Sequence, residues 1–237
     1  MAPAGEINII LIKAGIKMSK DKSVGSCNLC GKSYSRRGMG RHLSSCLEKN
    51  GLPEMETTEE VTDVYHLVVE CEYSSNYWLH LLVQARADLK ALDQYLRDIW
   101  LECCGHLSAF TIDNQYYSSW DEKIDDKWMN MCVPLDRVLR QGLEFSHEYD
   151  FGSTTHLLLR VLSKRPMPLK DDIYLMARND PPPYLCEACE EELATSICVF
   201  CGMDVFCDSC IEEHACGEDG MLPLCNSPRA GICGYTG

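Results

Sequence analysis

The sequence predicts an α+β protein: a mixed β-sheet domain with packed helices, flanked by two small modules that lack an ordinary hydrophobic core. Two observations lead there. The long middle of the chain carries apolar runs of period two and one clear helical stretch. The two ends instead concentrate cysteine. Of 16 cysteines, three lie between Cys27 and Cys46 and nine between Cys186 and Cys233, leaving Cys71, Cys103, Cys104 and Cys132 for the middle. A length of 237 residues suits one ordinary domain with small additions. The expected organisation is a disordered leader over 1–17, a cysteine-bearing unit over 18–50, the sheet domain over 60–180 and a second cysteine-rich unit over 181–237.

The leader contains INIILI, too short for a secretory core and with no basic segment before it. Met18 is an alternative start. No apolar run approaches the roughly 20 residues of a membrane helix, so no membrane association is expected. Without an export signal the expected location is the cytoplasm, where disulfides are rare and clustered C-x2-C pairs more often hold metal.

In the first module, CNLCGKSYSRRGMGRHLSSC places Cys27 and Cys30 on a knuckle and His42 and Cys46 one helical turn apart. Zinc takes four such ligands in a tetrahedron. Tyr34, Met39 and Leu43 would form the tiny core. The pattern resembles the C2H2 zinc finger in a C2HC variant, with eleven residues between the pairs where the finger has twelve. From Met18 to Asn50, seven cations (Lys20, Lys22, Lys32, Arg36, Arg37, Arg41, Lys49) face only Asp21 and Glu48. Arg36, Arg37 and Arg41 are therefore the candidate DNA or RNA contacts, although one finger spans only about three base pairs. A solvated basic helix on a structural finger is the plainer alternative.

In the middle domain, YHLVVECEY puts Tyr65, Leu67, Val69, Cys71 and Tyr73 on one face and His66, Glu70 and Glu72 on the other, a half-buried strand. YWLHLLVQ over 77–84 is a second strand. From Asp88 as N-cap, Leu89, Leu92, Leu96, Ile99, Trp100 and Cys103 recur at helical spacing. LSAFTI and QYYSS read as strands, Pro134–Leu139 as a short helix with proline in its first turn, and IYLMA as a last strand. EFSHEYD and TTHLLLRVL read as a hairpin around FGS. A four-residue turn over Asp150–Ser153 pairs Tyr149 with Thr154 and sets His147 opposite His156. Cys103 and Cys104 are expected to be buried thiols. Pro181, Pro182 and Pro183 form a stiff linker.

This order of elements, with HLSAF and HEYDFGSTTHLLLRV, resembles the plasmid pRiA4b open-reading-frame-three-like family, also called transposon passenger, TnpR-like. The resemblance covers roughly residues 62–165. Tyr149-Asp150-Phe151-Gly152 is its most specific piece, and His106 and Phe110 match the H-L-x-x-F element. It implies an α+β fold and no particular activity. The zinc modules and the closing NSPRAGICGYTG resemble a subgroup of that family. No serine set among arginines supports recombination, and Asp150-Phe151-Gly152 lacks the companion motifs of a kinase.

The last module reads Cys186-x2-Cys189-x8-Cys198-x2-Cys201-x5-Cys207-x2-Cys210-x3-His214-x-Cys216, followed by Cys225 and Cys233. Three tandem C-x2-C pairs, with glycine after Cys201 and Cys233, are knuckles and not a thioredoxin-like redox site. Its apolar content is mainly Val199, Phe200, Val205, Phe206 and Ile211, too little for a core. One structural zinc supplies on the order of 10–16 kcal/mol of folding free energy. Alternating pairs predict a cross-brace. Cys186, Cys189, Cys207 and Cys210 take one zinc; Cys198 and Cys201 take another with two of His214, Cys216 and Cys233. Cys225 is the least favoured ligand. The order resembles a B-box more than a RING finger. From Tyr184 onward ten acidic residues face only Arg229. That surface repels nucleic acid and suits a protein partner.

The functional expectation is therefore a cytoplasmic zinc-binding adaptor or regulator with about three zinc ions per chain, contacting nucleic acid at one end and protein at the other. The alternative is a nucleic-acid-processing or hydrolytic enzyme centred on His106, His147, Asp150 and His156, a set whose plainer reading is packed or surface side chains.

Overall fold

The computed structural model describes residues 23–120 and 128–237. The leader expected over 1–17, and Met18, lie outside the described residues. The fold is α+β, as expected. Its elements are β1 (Val24–Cys27), β2 (Ser33–Ser35), α1 (Arg36–Asn50), β3 (Thr57–Cys71), β4 (Ser74–Gln84), α2 (Leu89–Leu96), β5 (Ser108–Ile112) and β6 (Gln115–Ser118). There follow β7 (Trp128–Asn130), α3 (Leu135–Val138), β8 (Glu144–Tyr149), β9 (Thr155–Leu169), β10 (Ile173–Asn179), β11 (Ser196–Cys198), β12 (Asp204–Phe206), α4 (Asp208–Ile211) and β13 (Met221–Pro223).

Among the described residues ten strands form one sheet in the order β2-β1-β10-β4-β3-β9-β8-β5-β6-β7, antiparallel except for β6 against β7. One face carries Tyr65, Leu67, Val69, Leu79, Leu81 and Val83 against α2 and Trp100. The α2 helix starts where expected: the Asp88 carboxylate accepts the Ala91 N–H at 2.8 Å. It continues into a single π turn over Arg97–Leu101, a local widening that often marks a functional position.

The opposite face differs from the half-buried strand the sequence predicts. His66, Val68, Trp78, His80 and Leu82 are also buried. Trp78 and Leu82 pack with Met39, Leu43 and Leu47 of α1. The N-terminal unit thus covers the back of the sheet, and β3 and β4 become strands buried on both faces. Tyr73, expected inside, is 44% exposed because it falls in the turn between β3 and β4. The unit is also continuous with the sheet: β1 pairs with β10 through Gly25↔Asn179, Ser26↔Arg178 and Cys27↔Ala177.

A second correction concerns the β8–β9 hairpin. Tyr149 pairs with Thr155, Glu148 with His156 and His147 with Leu157. The turn holds one residue more than expected, and a slip of one flips every side chain of the strand to the other face. The extra residue is accommodated because Asp150 adopts a left-handed conformation, φ 65°, with its carboxylate accepting the Gly152 N–H at 3.0 Å.

The C-terminal unit does not stand apart beyond its prolines. Pro182 is buried, and Tyr184, Ile197, Met203, Val205 and Ile232 join the main core. Its own small sheet runs β12-β11-β13, and Cys198, Phe206 and Met221 of these strands pack with the cysteines of the unit.

Candidate metal centres

Four groups of cysteine and histidine bring their ligand atoms within 4.8 Å of one another: Cys27/Cys30/His42/Cys46, Cys186/Cys189/Cys207/Cys210, Cys198/Cys201/His214/Cys216 and Cys103/Cys104/His106/Cys233. These groups could hold metal ions. All 16 cysteines are free thiols. Two sulfurs on one tetrahedral zinc stand about 3.8 Å apart, and a sulfur and a nitrogen about 3.6 Å, from bond lengths near 2.3 and 2.1 Å. A disulfide requires about 2.05 Å. The sulfur–sulfur separations of 3.6 to 3.9 Å fall in the first class, as do sulfur–nitrogen separations of 3.3 to 3.5 Å, while Cys104 and His106 stand closer at 2.9 Å.

The first group is built by a knuckle and a helix. The Cys30 and Gly31 N–H groups both reach the Cys27 carbonyl, at 3.3 and 2.7 Å, and Gly31 takes the left-handed turn at φ 72°. Ser35 then caps α1, accepting the Gly38 N–H. His42 and Cys46 lie one turn apart on the buried side of that helix. Cys27 Sγ is 3.9 Å from Cys46 Sγ, and Cys30 Sγ is 3.3 Å from His42 Nε2. Tyr34 stacks on the imidazole with centroids 4.0 Å apart. Burial, then the nearby Lys32 charge, holds His42 below its ordinary pKa, which favours the neutral, metal-binding form.

In the C-terminal unit the first and third C-x2-C pairs share one group and the second pair joins His214 and Cys216. The pairs thus interleave in space. Cys189 and Cys207 sulfurs are 3.9 Å apart, and Cys201 Sγ lies 3.5 Å from His214 Nε2. Burial opposes ionisation of Cys186, yet the Cys189, Cys207 and Ala188 N–H groups bring its thiol down to about 6. Cys198, also opposed by burial, is brought to about 7 by the Cys201 thiol and the Phe200 and Cys201 N–H groups. Backbone donors converging on a sulfur favour the thiolate, the form that binds metal.

Of the three alternatives for completing that last group, His214 and Cys216 are present and Cys233 is not. Cys233 lies instead beside Cys103, Cys104 and His106. The expectation of buried thiols after α2 also fails: Cys103 is half-buried and Cys104 exposed. The C-C-x-H spacing of Cys103, Cys104 and His106, with an unspent Cys233-Gly234, was the available signal.

The four candidate catalytic side chains do not form one site. His147 is fully buried on the core face, with Nε2 2.7 Å from Asp93 Oδ1. His156 points to the other face between Glu148 and Glu72, at 3.4 and 3.9 Å, and the Glu148 carboxylate raises its pKa. His106 belongs to the fourth cysteine group and lies 3.6 Å from Asp150. Asp150 pairs with buried Arg229 at 2.6 Å, and burial notwithstanding, that guanidinium keeps its carboxyl below the usual range. A buried His66–His80 contact at 3.0 Å has no counterpart in the sequence reading. Among the described residues no helix is long and apolar enough to cross a membrane.

No family model matches the chain, and no curated protein matches it. Among solved structures, a protein of unknown function from Methanosarcina mazei Go1 is similar at a TM-score of 0.44 and 16% identity, over 51% of this chain and 70% of that one.

Proposed function

We propose that this chain is a cytoplasmic zinc-binding adaptor, in which the basic N-terminal unit contacts nucleic acid, the acidic C-terminal unit contacts protein, and the sheet domain holds the two in place. The carrying observation is the set of thiolate and imidazole ligands at the spacing of a shared tetrahedral cation, with no disulfide among 16 cysteines. Zinc is the cation that such mixed sulfur and nitrogen sets favour. The free thiols suit a reducing compartment.

Charge separation supports the two-ended reading. Arg37 and Arg41 stand exposed one turn apart on α1, away from buried Met39 and Leu43, while Arg36 is partly engaged by Glu70 at 3.3 Å. At the other end Glu191, Glu212, Glu213, Glu218 and Asp219 are exposed, and Phe200 is 66% exposed among them. Such a surface suits a basic, partly apolar protein partner. The resemblance of residues 62–165 to the pRiA4b family is consistent with a scaffold in the middle. Against the enzymatic alternative weighs the placement of His147 and His156 on opposite faces of the hairpin.

The test is fluorescence anisotropy of the full chain with short DNA and RNA at two salt concentrations. Binding that weakens with salt, and that is lost in Arg37→Glu/Arg41→Glu, supports the reading. Salt-independent binding, or none, removes nucleic acid from it. Fewer than two zinc ions per chain by elemental analysis would remove the adaptor's metal basis.

A further inference from the structure

The fourth cysteine group joins two parts of the chain that are 127 residues apart. Cys103, Cys104 and His106 lie on the loop that leaves the π turn for β5, and Cys233 arrives from the C-terminal tail. Cys103 and Cys104 sulfurs are 3.6 Å apart, and His106 Nε2 lies 2.9 Å from Cys104 Sγ and 3.5 Å from Cys233 Sγ. One nitrogen atom therefore faces two sulfurs from distant parts of the chain, and no pair is near the roughly 2.05 Å of a disulfide.

Both sides are fixed independently of these four ligands. On the loop, Glu102 accepts the Gly105 N–H at 2.6 Å and the Tyr149 hydroxyl at 3.0 Å, and Arg97 donates to the His106 carbonyl at 2.8 Å. On the tail, Ser227 Oγ donates to the Trp100 carbonyl at 2.6 Å. Arg229 is fully buried, donating to Asp150 and to the Ser153 carbonyl at 2.6 and 3.0 Å. Its guanidinium also stands 3.5 Å from Cys103 Sγ, where a cation favours thiolate. Gly231 and Cys233 both take left-handed backbone, φ 79° and 52°, which curls the tail back toward the loop. An outer shell of this kind orients metal ligands before the metal binds.

We propose that Cys103, Cys104, His106 and Cys233 bind a fourth zinc ion, which fastens the C-terminal tail to the sheet domain. The inference rests on the zinc reading of the other three groups but concerns a separate set of ligands, three from the sheet domain and one from the C-terminal tail. The site differs from those three in one measurable respect. Each of them has at least one fully buried ligand, whereas none of these four is buried and Cys104 and Cys233 are exposed. It is therefore the site that a chelator empties first. Because it closes a long loop, it also restricts the unfolded chain most strongly.

The experiment is zinc analysis of the full chain purified under reducing conditions. The expected content is four zinc ions in the wild type, three in Cys104→Ser/Cys233→Ser, and four in Cys132→Ser, an exposed cysteine outside every group. In parallel, thiol alkylation with peptide mass spectrometry follows stepwise chelation of the wild type. Cys103, Cys104 and Cys233 are expected to become reactive together with release of the first ion. This arm does not depend on the variant folding. Three ions in the wild type, with Cys104 and Cys233 alkylated at once in the untreated protein, overturn the fourth site and leave the other three standing. A Cys103–Cys104 or Cys104–Cys233 disulfide in the purified protein overturns it as well. A wild type without zinc overturns both readings.

Discussion

Arg97→Met is the most informative single perturbation of the sheet domain. The Arg97 side chain is 9% exposed and donates to Asp93 and Glu102 at 2.7 Å each, and to the His106 carbonyl and Ser108 Oγ at 2.8 Å each. Its guanidinium also lies 4.8 Å from the centre of the Tyr149 ring. Asp93 is buried, and the pKa directions agree about the pair. Despite burial, His147 and Arg97 hold the Asp93 carboxyl below its usual range; despite burial, Asp93 and Glu102 raise Arg97. Methionine fills the volume but leaves the buried Asp93 carboxylate without its guanidinium, with only His147 and the Ser108 hydroxyl beside it. Breaking one partner of a buried ion pair costs about 3–5 kcal/mol. For a chain of this size that lowers Tm by roughly 6–20 °C. The assay is urea unfolding of the zinc-loaded protein at neutral pH, followed by fluorescence of the buried tryptophans. In Asp93→Asn/Arg97→Met the stranded charge is gone, so the double variant should cost clearly less than the sum of the singles. Strict additivity, or a cost under about 1 kcal/mol for Arg97→Met, would refute the account of this network.

Three further outcomes are expected. A Cβ at Gly25 would lie 2.2 Å from the Arg178 carbonyl and 2.4 Å from the Trp78 ring. Gly25→Ala should therefore push β1 off β10, at about 1–3 kcal/mol, and speed proteolysis within residues 23–52; an unchanged digestion pattern would deny that the N-terminal unit is docked on the sheet. Burial, and then neighbouring positive charge, depresses His66 to about 4 and His80 to about 3, below their ordinary 6.5. Between those values the unfolded chain takes up protons that the fold refuses, so stability declines as pH falls from 6.5. At about pH 5 the cost is roughly 2 kcal/mol per imidazole, and His66→Leu/His80→Leu should flatten the decline; equal slopes in urea titrations would exclude it. Zinc chelation should speed hydrogen exchange throughout residues 186–216, where cysteines make up most of the local cluster, while β3 and β4 stay protected. Uniform protection after complete metal removal would show that zinc does not hold that unit.

What was legible in the sequence was local. Two cysteines on a knuckle, or a histidine and a cysteine one helical turn apart, fix their geometry within five residues. The first group and the interleaved C-terminal pairs could therefore be read from spacing. The Asp88 cap, the core-facing residues of β3 and the existence of β4 were legible for the same reason. What spacing could not convey was which face a second element would cover. The back of β3 and β4 is buried only because α1 lands on Trp78 and Leu82.

The sequence by itself determined an α+β class, the cysteine and histidine pairs that could hold metal and the opposite charges of the two ends, because each depends on neighbours along the chain. The tertiary structure alone decided the hairpin register and the destination of Cys233. Asp150 turns the chain with φ 65° and meets Arg229, 79 residues away, at 2.6 Å. That contact helps bring the tail to the loop of Cys103, Cys104 and His106. Pairings at such separations carry no periodic signal, since they depend on where the whole sheet delivers its ends.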